Sequence, residues 1–201
     1  MKTLLLAALC FGTAVSASAQ DRDRVFKPFK FNVALGYAKP LGGGASGGVL
    51  FALEPKYSVI EALEVGIRAE FALTARTFSY ANRTGDAEIK ALNSFLLTGN
   101  YVFGTGGFRP YLGAGLGLYT LAGGTVTIVD GQAPEQDVPV EAETKFGFMG
   151  RAGFKAGHFN FGLEFNAVPN SSPRVQNVTL ESQNSYLGIK AGVDIGGGRY
   201  R

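Results

Sequence analysis

The 201-residue chain has one cysteine, one histidine and no tryptophan. A single cysteine excludes a disulfide scaffold. A single histidine leaves no HExxH pair and no Cys/His cluster, so the transition-metal sites built on them are excluded and no cofactor is expected. Charge is sparse too: only 17% of residues are ionic, and 19 basic against 16 acidic residues leave a net +3. That excess is small and unclustered, which argues against nucleic acid as a partner. There is also no apolar run of the ~20 residues that a membrane-spanning helix needs. Hydrophobic residues make up 46% of the chain, aromatics 12%, and its 29 glycines are about twice the usual share. High apolar content with low net charge excludes a disordered chain. Glycines without a period of three exclude collagen.

Residues 1–19 read as an address. Met1-Lys2-Thr3 gives a basic start, Leu4 to Phe11 (LLLAALCF) is apolar, and Ala17-Ser18-Ala19 supplies small residues before Gln20. This order predicts a secretory signal peptide cleaved after Ala19. Cys10 lies inside it. Residues 20–201, read as one barrel domain, therefore have no thiol chemistry.

The rest of the chain alternates apolar and polar side chains in eight segments, near residues 29–37, 49–57, 63–73, 94–103, 111–119, 145–155, 159–166 and 186–195. Period two marks a strand with one apolar face. The third segment is the cleanest, with Leu63, Val65, Ile67, Phe71 and Leu73 opposite Glu64, Arg68 and Glu70. Short turns are expected near Ser58–Ala62, Gly104–Gly107 and Gly157–His158. Long polar loops are expected at Ala38–Gly48, Thr74–Leu92, Leu121–Thr144 and Val168–Ser185. An even strand number with short turns at one end and long loops at the other describes an all-β fold: an eight-stranded, antiparallel, up-and-down transmembrane β-barrel.

A soluble lipocalin-like binding barrel also alternates, but with its apolar side chains inside. An eight-stranded interior is only just wide enough for side chains to fill. It could not take about five large apolar residues per strand without opening a ligand cavity. The other face carries Lys30, Glu54, Lys56, Glu64, Arg68, Glu70, Arg151, Lys155, Glu164, Lys190 and Asp194. Six basic and five acidic residues suit mutual pairing in a narrow lumen. Arg68 is expected to meet Glu54 or Lys56, and Lys190 and Asp194 to meet Lys30 or Glu164. Phe29, Tyr37, Tyr57, Phe95, Phe103, Tyr119 and Phe159, at strand ends, fit interfacial girdles. The apolar face is therefore read as facing lipid, with the secreted lipocalin-like barrel as the minority reading.

The segment FRPYLGAGLGLY, Phe108 to Tyr119, resembles the fifth strand of small bacterial outer-membrane β-barrel domain proteins of the OmpA/OmpX type, with its Arg-Pro-Tyr start and alternating glycines. The resemblance implies an integral protein of a Gram-negative outer membrane. It implies outer-membrane lipid, lipopolysaccharide and the outer-membrane assembly machinery as partners. Such chains often finish on a terminal aromatic, whereas this one runs on as GGGRYR to Arg201, with Tyr200 as the candidate substitute.

No catalytic set emerges, and the expectation is a non-enzymatic protein. His158 falls in the shortest turn, far from any nucleophile-and-acid arrangement. Gly113, Gly115 and Gly117 lack the strand-to-helix transition of a dinucleotide site. They read as space for bulky neighbours such as Arg151 and Lys155. Asp130, Glu135 and Asp137, in a loop without Lys or Arg, are weak candidates for Ca²⁺ or Mg²⁺ and match no calcium-loop spacing. The leading functional expectation is a structural or surface-interaction barrel with a plugged polar lumen. The alternative is a narrow transport barrel for small hydrophobic molecules.

Overall fold

The computed structural model describes residues 26–41, 45–80, 83–122, 124–128, 136–140, 142–170, 174–175, 178–179 and 183–197. Eight long strands follow in order: β1 (Phe29–Pro40), β2 (Gly48–Ile60), β3 (Leu63–Tyr80), β4 (Arg83–Val102), β5 (Phe108–Leu121), β6 (Glu143–Ala156), β7 (Phe159–Ala167) and β8 (Tyr186–Gly196). Each pairs antiparallel with its neighbours in the chain, and β8 closes against β1, with Ile195 opposite Phe31 and Leu187 opposite Lys39.

Register partners followed once round the barrel from Phe29 run through Tyr57, Val65, Gly99, Ala114, Gly150, Phe165 and Leu187 to Lys39. The stagger, from 29 to 39, is ten residues. With a strand rise of about 3.3 Å and a spacing of about 4.8 Å, it tilts the strands by about 40° and sets a backbone radius of about 8 Å. A lysine or arginine is long enough to cross the axis of so narrow a tube.

At one end the connections are tight. Residues 61–62 join β2 to β3, residues 103–107 join β4 to β5, and residues 157–158 join β6 to β7. Gly104 and Gly157 take positive φ there (73° and 60°), a conformation that favours glycine. The opposite end carries the longer connections, with one correction. The expected loop at 74–92 is mostly strand: β3 and β4 stay paired out to Tyr80 and Arg83, with a register irregularity between Thr77 and Ser79. Sequence reading detects a strand by its apolar face, whereas a ladder of backbone hydrogen bonds needs none. Ala45–Ser46 adds to the outer part of β3. A small hairpin, Gly124–Ile128 with Gln136–Val140, lies in the loop expected at 121–144.

The alternation sorts residues sharply. On β4, Leu97 is 59% exposed while the next residue, Thr98, is 3% exposed. Large apolar side chains cover the outside of every strand, among them Leu35, Phe51, Ile67, Leu116, Phe148, Leu163 and Ile189. Of the expected girdle aromatics, Phe29, Tyr37, Phe95, Phe103 and Phe159 are exposed and Tyr57 is half-buried. Tyr119 is the exception. It shares the parity of Tyr111 and Gly113, so it points inward, and its hydroxyl donates to Asn166 Oδ1 at 2.8 Å.

Candidate functional site: the barrel lumen

Among the described residues, the buried charged ones are Lys30, Glu54, Lys56, Glu64, Arg68, Glu70, Arg151, Lys155, Glu164, Lys190 and Asp194. They stand on β1, β2, β3, β6, β7 and β8. The described inward positions of β4 and β5 carry no buried charge and include Leu92, Ser94, Leu96, Thr98, Asn100, glycines and two tyrosines instead.

Contacts within 4 Å join all eleven into one network. Towards the short-turn end, Lys155 Nζ lies 2.6 Å from Glu64 Oε2 and 3.0 Å from Asp194 Oδ2, and Lys30 Nζ lies 2.6 Å from Glu64 Oε1. Lys56 Nζ reaches Asp194 at 3.3 Å and Glu54 at 3.8 Å. At mid-height, Arg151 grips Glu54 with both terminal nitrogens, at 2.6 and 2.9 Å, while its Nε donates to Asn100 Oδ1 at 2.6 Å. Thr98 Oγ1 donates to Glu54 Oε1 at 2.5 Å. Further along, Arg68 contacts Glu70 and lies 2.6 Å from Glu164, which also takes Lys190. Arg151 Nη1, 3.8 Å from Glu164, links the groups. Bidentate and multiply shared contacts of this kind are what buried charges require to offset their desolvation.

The structure does not pair Arg68 with Glu54 or Lys56. Arg68 spans the bore from β3 to Glu164 on β7, four strands away. Asp194 takes Lys56 and Lys155 rather than Lys30, while Lys190 does take Glu164. The reason is the small radius: side chains reach across the axis as easily as to the adjacent strand.

Glycines make this filling possible. A Cβ on Gly113 would stand 2.2 Å from Asn100 Oδ1 and 3.1 Å from Arg151 Cγ. Gly153 and Gly162 make room for the Tyr111 hydroxyl, and Gly147 for the Tyr119 ring. Arg151 does lie against the glycine row of β5. Lys155 lies opposite Arg109, beyond it.

One part of the lumen was not apparent as a unit in the sequence. Towards the long-loop end, Leu50, Ala72, Leu92, Leu96, Tyr119, Met149, Val168 and Tyr186 form a buried apolar cluster. Tyr186 ties it to the charges below through a 2.5 Å hydrogen bond to Glu70 Oε1. The signal was there as exceptions: Leu50, Leu96 and Met149 are large apolar residues in otherwise polar or small rows.

The remaining candidates are apart from this site. His158 is exposed in its turn, with Nδ1 3.0 Å from the backbone oxygen of Asp194. Asp130 and Glu135, and the side chain of Asp137, lie outside the described residues. Among the described residues no group of three or more His, Cys, Asp or Glu is placed to hold a metal ion.

An apolar outer wall, a closed eight-stranded wall and a polar filling describe a membrane barrel, and comparison with known proteins agrees. Residues 5–191 match the model of the outer membrane protein beta-barrel domain. No curated protein sequence matches the chain. Among solved structures, surface protein A (NspA) of Neisseria is similar with a TM-score of 0.56 and 18% identity, over 86% of this chain and 99% of that one. The outer membrane protein OprG of Pseudomonas aeruginosa is similar with a TM-score of 0.53 and 16% identity, over 85% of this chain and 97% of that one. At such identities the structures speak for the fold, while the family match spans nearly the whole sequence. The chain belongs to the outer membrane protein beta-barrel domain family.

Proposed function

We propose that this is a non-enzymatic, non-conducting barrel, exported by the signal peptide at residues 1–19 and resident in a Gram-negative outer membrane. Its role is structural or surface-interacting, exercised through the lipid-facing wall and the long-loop end. Outer-membrane lipid and lipopolysaccharide are the partners this reading names. The observation that carries it is the filled lumen. The ion-pair network and apolar cluster lie in series along the bore, and a space among Lys56, Arg151, Lys155 and Glu164 measures ≈ 10 Å³, about what one water molecule needs.

Single-channel recording in planar bilayers tests this. The purified barrel should show no sustained openings, and its conductance should stay at the level of the bare bilayer. Sustained openings of uniform size would refute the plug and favour the transport reading.

A further inference from the structure

Among the described residues, the buried charges of the lumen do not balance. They are six cations and five carboxylates, so pairing among them leaves one positive charge over. A buried charge without compensation is costly, and three observations locate this one. Lys30, Arg68, Arg151, Lys155 and Lys190 each have a carboxylate oxygen within 2.6 Å. The nearest to Lys56 Nζ is 3.3 Å away, on an Asp194 that Lys155 already holds. Lys56 also sits directly opposite Lys30 in the β1–β2 ladder, where like charges repel. Finally, Lys56 lines the ≈ 10 Å³ space. Three more cations line it (Arg151, Lys155 and Lys190), against Glu164 as the single carboxylate, and the rest of its wall is amide, phenol and glycine.

A small space walled by four cations and one carboxylate, beside the least-compensated lysine, has the chemistry of an anion site. We propose that the lumen binds one small monovalent anion, chloride or an ion of similar size, against Lys56. The anion neutralises the excess charge and completes the plug. A halide is larger than the water molecule this space could hold, and Lys56, held by a single hydrogen bond among the described contacts, can shift to admit it.

The site rests on the closed lumen proposed above, and the two readings fail separately. Crystals of the full barrel grown in bromide should show one ordered anomalous peak in hydrogen-bond range of Lys56 Nζ. Urea midpoints in vesicles should rise with bromide or chloride concentration relative to gluconate at equal ionic strength. The Lys56→Met barrel should lose that halide dependence, while Lys39→Met, on an exposed side chain, should keep it. If Lys56→Met does not fold, the bromide peak in the parent protein decides. A space holding only water, bromide confined to the outer surface, or an undiminished halide effect in folded Lys56→Met each overturns the proposal. A silent barrel without lumen bromide refutes the anion site alone. A conducting barrel without it refutes both.

Discussion

Replacing Glu164 by glutamine removes one negative charge at the most heavily shared carboxylate of the long-loop half of the network. Glu164 lies 2.6 Å from Arg68 and 3.8 Å from Arg151, and it contacts Lys190. Each close contact is worth about 4 kcal/mol gross at 4 Å with an effective dielectric of about 20. Relief of the carboxylate's own desolvation, several kcal/mol, offsets a large part of that sum. Glu70 still touches Arg68 and stands 3.8 Å from Lys190, but it cannot neutralise both cations. The net cost should be about 3–5 kcal/mol, the range for breaking one member of a buried pair. Glu143 is the control, because its 2.7 Å contact with Lys145 is exposed and Glu143→Gln should cost no more than about 1 kcal/mol. The assay is urea unfolding in lipid vesicles followed by circular dichroism, since the chain has no tryptophan. A Glu164→Gln cost no larger than that of Glu143→Gln would refute the reasoning. Lys190→Met added to Glu164→Gln should recover part of the loss, because it removes the cation left stranded.

Other expectations follow from the two faces and the narrow bore. Leu116→Arg places a charge on the outer wall and should cost about 2–4 kcal/mol near the bilayer midplane, read as a lower urea midpoint. Gly153→Ala should cost about 1–3 kcal/mol by overpacking, because its Cβ would stand 2.0 Å from Phe161 O and 2.7 Å from the Tyr111 hydroxyl. The same change at Gly99, where a Cβ meets nothing within 4 Å, should stay within about 0.5 kcal/mol; equal effects at the two glycines would contradict the assigned faces. Tyr119→Phe removes the hydrogen bond to Asn166 and should lower stability by about 1 kcal/mol without changing conductance.

Much of this architecture was legible because a membrane barrel writes its two environments into alternate residues. Leu63 to Leu73 could be sorted residue by residue, and so could the seven other segments. The outer extension of β3 and β4 was not legible, because its pairing leaves no apolar row in the sequence. An aromatic side chain near a strand end points to a girdle, but at Tyr119 the parity of the strand overrides that cue and puts the ring on the side of Tyr111. The identity of the lumen charges follows from parity alone. Their partners do not: Arg68 meets Glu164 because ten residues of stagger close the barrel to a radius that an arginine can cross, and that stagger exists only in three dimensions. The apolar cluster around Leu50, Leu96 and Met149 was hidden for a similar reason. Each has polar or small residues on either side of it in its own inward row, and only closure brings the three to one level.

Cysteine accessibility tests the central claim, a lipid-facing wall around a closed lumen, most directly. The only native cysteine is Cys10, so introduced thiols report alone once residues 1–19 are absent. Leu97→Cys, Thr98→Cys and Gly106→Cys would be compared in vesicles with a small water-soluble thiol reagent and with a lipid-soluble one. The account predicts that Gly106→Cys, in the β4–β5 turn, reacts with the water-soluble reagent. Leu97→Cys should react only with the lipid-soluble reagent, and Thr98→Cys with neither. Rapid labelling of Thr98→Cys from water, or of Leu97→Cys by the water-soluble reagent, would contradict it.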